Sequence, residues 1–276
     1  MRVLAFFLIL RPHNMLASAL AVVAGAAVAG GLHDPGLATV AILAGLVTGA
    51  GNILNDCFDL RVDRINKPRR PLPSGRITRG AALAWYGILS VAATAGAAFL
   101  APRDAGLLIM GWEIALALYS GWCKRWFIVG NVLVAAISSS AFLAGAMLAG
   151  DPRAAVIPGA LAFGFVICRE IVKGAEDVEG DRAGGVRTLA VVLGERAAGH
   201  VAALLMLLVA ILIPVPALAA GYGFGYLLVM ELFVVPVLLA AALRLAGSGD
   251  RRDYTMTTRS LKLGMFVGIA AIALGA

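Results

Sequence analysis

Long apolar runs, each roughly 20 residues and so long enough to cross a bilayer as a helix, recur along the whole chain. Placed by run length and by the breakers between them, such as Asp34-Pro35, Pro102-Arg103-Asp104, Asp151-Pro152 and Gly221, they cover 14–32, 37–56, 81–101, 105–122, 127–149, 155–175, 198–219, 222–245 and 259–276. Only 14% of the residues are charged and 61% are hydrophobic, against roughly 25% charged in a soluble domain. Water is therefore not the main solvent. The expected fold is an all-α membrane protein, one polytopic domain over residues 1–276 with about nine transmembrane helices around a central cavity. The 33 glycines suit close helix approach in lipid.

Charge distribution orients the chain. Of its 23 Lys and Arg residues, all but Arg103 and Arg153 fall on the side shared by the N-terminus and the loops after every even-numbered span. Cytoplasmic loops retain such residues, so the N-terminus and these loops are expected in the cytoplasm, with the protein multi-pass in the cell membrane. The net charge of +7 follows from loop retention and does not point to nucleic acid. Met1 to Leu10, followed by Arg11-Pro12 and a full span, reads as an interfacial segment rather than a signal peptide. Cys57, Cys123 and Cys168 lack metal-ligand spacing, as do His13, His33 and His200, so the cysteines read as buried small hydrophobes.

The scarce acids concentrate in two places. The second span runs into Asn55-Asp56-Cys57-Phe58-Asp59-Leu60-Arg61-Val62-Asp63, where Asn55, Asp59 and Asp63 are four apart and share a helix face, with Asp56 beside them. Carboxylates this close repel, and hard oxygen ligands on adjacent turns suit magnesium, which takes one or two carboxylates and completes its shell with water and phosphate oxygens. The alternative is a solvated acidic helix end, but ionisable groups at a membrane boundary are functional candidates. Pro68, Pro71, Pro73 and Gly75 stop the helix, so Lys67, Arg69 and Arg70 lie on a loop that can fold back over the acidic face.

A second acidic segment ends the sixth span, Arg169-Glu170-Ile171-Val172-Lys173-Gly174-Ala175-Glu176-Asp177-Val178-Glu179-Gly180-Asp181-Arg182. Asp177 and Asp181 are one turn apart, and Arg169 and Lys173 share their face, so both signs of charge converge there. Tyr119 and Lys124, at the end of the fourth span, share that side of the membrane and are candidates for diphosphate binding or for interfacial anchoring.

The segments NDCFDLRVDRINKPRRPLPSG, 55–75, and AEDVEGDRAGGVRTLAVVLG, 175–194, resemble the UbiA-type intramembrane prenyltransferases in order and spacing. The resemblance spans the chain and implies nine helices around a cavity, with an active site capped by cytoplasmic loops. It also implies that Asn55, Asp59, Asp63, Asp177 and Asp181 hold magnesium and prenyl diphosphate, with Asp56 close by and Asp59, Asp63, Asp177 and Asp181 catalytic; the basic and phenolic groups on the same side, Lys67, Arg70, Tyr119, Lys124 and Lys173, are the candidates for the donor's diphosphate. Within the family, Arg11-Pro12-His13-Asn14 and Arg169-Glu170-Ile171-Val172-Lys173 are similar to the archaeal digeranylgeranylglyceryl phosphate synthases, although Gly174 stands where those enzymes often have an acidic residue. That likeness implies transfer of a geranylgeranyl group to the hydroxyl of geranylgeranylglyceryl phosphate, a lipid-like phosphorylated acceptor.

Such an acceptor needs its own cationic pocket, for which Arg11, assisted by Asn14, is the leading candidate. The residues name no base for the hydroxyl proton; a motif carboxylate or the released diphosphate can serve. A same-family enzyme with an aromatic, quinone-precursor acceptor would use identical donor chemistry. A CDP-alcohol phosphotransferase would show DGxxAR, absent after Asp59 and Asp177. A cation transporter would place its acids near the midplane rather than at span ends. Oligomeric state is not written in the chain.

Overall fold

The computed structural model describes residues 2–247 and 250–275, so the final residue of the expected 259–276 span lies outside the described residues. Every regular element among them is helical. In chain order they are α1 (Arg2–Ile9), α2 (Pro12–Val28), α3 (Leu37–Phe58), α4 (Leu60–Asn66), α5 (Arg79–Phe99), α6 (Arg103–Gly121), α7 (Val129–Leu148), α8 (Val156–Glu176), α9 (Val178–Ala183), α10 (Leu189–Leu193), α11 (Glu195–Leu212), α12 (Val215–Ala219), α13 (Phe224–Val229), α14 (Val235–Gly247) and α15 (Arg251–Leu274). Seven stretches are long and apolar enough to span a membrane, and the α1–α2 pair, bent by 46°, makes an eighth.

The remaining expected span, 105–122, is α6, which carries Asp104 and Glu113 and is less apolar. Glu113 accepts hydrogen bonds from Ser90 at 3.1 Å and Thr94 at 2.6 Å, both on α5. A carboxyl at this depth is thus tied to hydroxyls of the neighbouring helix, as a polar group in lipid requires.

Three spans differ in detail from the apolar pattern. The 198–219 run breaks at Ile213-Pro214 into α11 and α12. The 222–245 run contains a π turn at Met230–Val234, just before Pro236, which offers no backbone N–H and crowds the carbonyl four residues back. The last helix starts at Arg251, well before the apolar stretch, because its polar first turns pack against the second acidic segment: Arg251 pairs with Glu179 at 3.1 Å and Thr255 bonds Glu176 at 3.2 Å.

Tight packing comes from small residues. A Cβ on Gly25 of α2 would overlap the Phe142 carbonyl of α7, and one on Gly145 of α7 would overlap the Val22 carbonyl of α2, so these two helices touch backbone to backbone. Buried phenols find acceptors, Tyr226 on Ile213 O at 2.7 Å and Tyr254 on Glu195 O at 2.8 Å. Helix α1 buries Ala5 and Ile9 while Val3, Leu4 and Phe7 stay exposed.

Contacts between loops define the two ends of the bundle. At one end meet the segments after α3, α6 and α8 and the start of α15, joined by Lys124–Asp59, Lys67–Asp177 and Arg251–Glu179 pairs. At the other, Gly36 approaches Pro102, and Gly31 approaches Ala149. The basic loops therefore gather at one end, as the charge pattern implies; Cys57 and Cys168 are buried and Cys123 half-buried.

Candidate active site

Both acidic segments share one local architecture. A long helix ends one residue before an aspartate, and a short helix begins one residue after it. Asp59, between α3 and α4, has φ −86° and ψ 5°; Asp177, between α8 and α9, has φ −100° and ψ 9°. This bridge region is sparsely populated and is where many active-site residues lie. The i to i−4 ladder nevertheless continues through each break, from Asp59 N to Asn55 O (2.8 Å) and Asp63 N to Asp59 O (2.8 Å), then from Asp177 N to Lys173 O (3.0 Å) and Asp181 N to Asp177 O (3.1 Å). Each segment thus turns without losing the stacking that the four-residue spacing predicts.

The two segments are fastened to one another. Lys67 Nζ lies 2.5 Å from an Asp177 carboxylate oxygen. Asn66 donates to the Asp177 carbonyl at 2.7 Å and accepts the Gly180 N–H at 3.0 Å. The basic loop folds back over the first motif as expected, with Arg70 on Asp63 at 2.7 Å and on Asp56 at 3.4 Å. Lys124 pairs with Asp59, and Arg11 with the buried Asp56. Arg69 is exposed.

Beside this seam opens a cavity of about 1510 Å³, its open mouth included. Its polar end carries Arg11, Asn14, Asn52, Asn55, Tyr119, Arg169, Glu170 and Lys173, and its apolar wall includes Trp112, Phe142, Phe165, Ile213, Met230 and Met265. A polar, charge-rich mouth on a greasy chamber suits a long hydrocarbon with a charged head.

A model of the UbiA prenyltransferase family matches residues 17–268. The chain belongs to the UbiA prenyltransferase family. It is 35% identical over 267 residues to the digeranylgeranylglyceryl phosphate synthase of Methanothermobacter thermautotrophicus, covering 97% of this chain and 94% of that protein. To the protein of the same name from Natronomonas pharaonis it is 39% identical over 271 residues, covering 97% and 95%. Among solved structures, one described as giving insights into digeranylgeranylglyceryl phosphate synthase in membranes aligns with a TM-score of 0.74 at 26% identity over 99% of this chain and 98% of that one. A UbiA homologue from Archaeoglobus fulgidus, solved with GPP and Mg2+, aligns with a TM-score of 0.63 at 19% identity over 97% and 99%.

In this UbiA-family prenyltransferase the expected residues divide by position. Asn55, Tyr119, Lys173, Arg11 and Asn14 line the cavity, whereas Asp59, Asp63, Asp177 and Asp181 stand at the seam, most of them behind a basic partner. Lys173 bonds Glu170 at 3.1 Å rather than a motif aspartate. Asn14 reaches Asn52 Oδ1 at 3.5 Å, and Asn52 in turn holds the Leu10 carbonyl at 2.9 Å.

Three participants escaped the sequence reading. Asn66 continues the Asp59 and Asp63 face at the next helical step, a spacing that could have flagged it. Glu170, buried at 8% exposure between Arg169 and Lys173, stood in both the second acidic segment and the Arg169–Lys173 stretch that carries the resemblance, but was given no role of its own. Asn52, one turn before Asp56, orients Arg11 at 3.4 Å.

The donor set suits a hard cation. Asn55 Oδ1 and Asp177 Oδ1 are buried without hydrogen-bond partners, and Asn55 Nδ2 holds Asp59 at 2.8 Å. Such orphaned oxygens are costly unless a cation or water meets them. Among the described residues no three His, Cys, Asp or Glu side chains approach closely enough to enclose a metal by themselves. Magnesium ordinarily takes only one or two carboxylates along with phosphate oxygens, so this set fits it. Burial, reinforced by the neighbouring Asp177, pushes the Asp181 carboxyl up to about 7. Burial also raises Asp63, against the pull of Arg70, and lowers Lys67, against the pull of Asp177.

Proposed function

We propose that this enzyme transfers a geranylgeranyl group from geranylgeranyl diphosphate to the free hydroxyl of geranylgeranylglyceryl phosphate, forming the second ether of an archaeal lipid, with magnesium as its cofactor. One observation carries the reading: two aspartate breaks, joined through Asn66 and Lys67, sit together at the polar mouth of an apolar cavity. The names of relatives matched over nearly the whole chain support the choice of acceptor. The chain acts as one polytopic unit, with its N-terminus and active-site loops on the cytoplasmic side, where positive residues are retained.

The aspartate and asparagine oxygens would hold magnesium, which would supply charge neutralisation to the departing diphosphate. Lys67, Arg70 and Lys124, now on carboxylates, would turn to diphosphate oxygens once a divalent cation engaged those carboxylates. Every charge thereby stays compensated in a poorly solvated site, where an uncompensated one would be costly. Tyr119 and Lys173 face the same head group from the cavity wall. The apolar wall holds the hydrocarbon, each buried methylene contributing about 0.8 kcal/mol, and keeps water from the allylic cation. The acceptor hydroxyl gives its proton to a motif carboxylate or to the departing diphosphate.

The deciding experiment incubates detergent-solubilised enzyme with labelled geranylgeranyl diphosphate and either geranylgeranylglyceryl phosphate or an aromatic quinone precursor. Labelled diether product is expected with the first alone. Prenylation of only the aromatic compound would replace the acceptor and keep the donor chemistry. Folded Asp59→Ala and Asp177→Ala proteins that still consumed the diphosphate would remove the site.

A further inference from the structure

A second group of cations gathers beside the cavity, which Arg11 and Arg169 of this group line. Helix α15 packs against both α2 and α8. It runs antiparallel to α8, with Thr255 on Glu176 at 3.2 Å and Gly264 beside the Phe165 ring. Counting two turns along each helix from the Thr255–Glu176 contact brings Lys262 level with Arg169, about 10 Å deeper in the bundle. Arg11 and His13 reach the same level from the α1–α2 bend, where Arg11 adopts a left-handed backbone with φ 53°. The charged neighbours of Lys262 are Arg169 and Arg11, and those of His13 are Lys262, Arg11 and Arg169.

Arg11 is matched by Asp56, but Lys262 and Arg169 are under-compensated. Among the described residues Lys262 has no carboxylate at ion-pair distance. Arg169 reaches only Glu170, at 3.7 Å, a carboxylate that Lys173 holds more closely at 3.1 Å. The Arg169 Nε is buried with no hydrogen-bond partner, though Arg169 lines the cavity. A doubly charged phosphomonoester would satisfy both deficits, since guanidinium and ammonium donors bind phosphate oxygens strongly.

We propose that Arg169 and Lys262, with Arg11 and His13, form the seat of the acceptor's phosphomonoester, separate from the donor diphosphate at the aspartate seam. This rests on the function proposed above. It places the acceptor head group about one helical turn from Lys173 along α8 and would account for a preference for a phosphorylated acceptor.

The test measures steady-state kinetics of the full chain in neutral detergent for wild type, Lys262→Gln, Arg169→Gln and Lys262→Arg. Geranylgeranylglyceryl phosphate serves as acceptor and geranylgeranylglycerol as its phosphate-free counterpart. Each Gln variant should raise the acceptor KM roughly 10- to 100-fold, leave the donor KM within about twofold and lose the preference for the phosphorylated acceptor, while Lys262→Arg restores most of it. Inorganic phosphate should compete with the acceptor in wild type. An unchanged acceptor KM in both Gln variants, or an equal rise in donor KM, would overturn the seat. So would competition by phosphatidylglycerol micelles but not by phosphate, which would assign these cations to a bilayer headgroup. A wild type that ignores geranylgeranylglyceryl phosphate altogether would instead overturn the function on which the seat rests.

Discussion

Gly180 and Asn66 are joined by a hydrogen bond of 3.0 Å, and the Asn66 amide fills the space that a Cβ on Gly180 would need. One side chain from the first acidic segment thereby registers the second, since Asn66 also donates to the Asp177 carbonyl at 2.7 Å. Asn66→Ala removes both bonds, and Gly180→Ala displaces the same amide. Each is expected to cost about 1–3 kcal/mol of stability and to reduce kcat/KM for the donor at least tenfold. Because both act through one contact, the double variant should lose little more than either single one. A double-mutant cycle reads this directly, and additive losses would contradict it.

Lys67 and Asp177, 2.5 Å apart, form the ionic half of the same seam. Lys67→Met leaves the half-buried Asp177 carboxylate without its partner and, on the proposed function, takes one cation from the donor diphosphate. The donor KM should rise roughly 10- to 100-fold, with the acceptor KM little changed. Titration of substrate dependence at saturating magnesium measures it.

Asp181 supplies a pH signature. Its carboxyl is held near 7 in the fold against an ordinary 3.8, so the folded state binds the proton more tightly than the unfolded chain. Its contribution to stability is full below pH 4 and is lost as pH rises through 7. With Asp181 as a magnesium ligand, as the proposed function has it, binding requires the ionised form and should tighten between pH 6 and pH 8 with release of a proton. Calorimetry in buffers of different ionisation enthalpy detects that proton, and Asp181→Asn should abolish it.

The backbone contact between α2 and α7 predicts a sharp contrast among glycines. At Gly145 a methyl group meets the Val22 carbonyl, which cannot swing aside, so Gly145→Ala should cost about 1–3 kcal/mol through forced separation of the helices. Gly87, in the middle of α5 with nothing near its added Cβ, should tolerate alanine and gain up to about 1 kcal/mol. Thermal unfolding in detergent separates the two.

Local rules made a good part of this molecule legible. The order of spans follows from the length of helix a bilayer accepts, and the gathering of basic loops at one end follows from their retention during insertion. The four-residue spacing of Asn55, Asp59 and Asp63, and of Asp177 and Asp181, survives in the ladder that runs through each break. The breaks themselves were not foreseen, because nothing in the spacing distinguishes a straight helix from one that turns at Asp59. Nor was the early start of α15, whose polar first turns find partners in Glu176 and Glu179.

By itself the sequence determined a helical membrane protein with two acidic segments on one side, because hydropathy and helical period act between near neighbours. Only tertiary structure decided which charge meets which. Lys67 reaches Asp177 across 110 positions of chain, and Lys124 reaches Asp59 across 65. The choice among basic residues for each carboxylate depends on how α3, α6 and α8 approach, which contacts such as that between Gly25 and Phe142 help to set. Apolar pattern specifies that helices pack but not at what distance or rotation, and those two quantities place Lys262 beside Arg169 and Asn66 against Gly180.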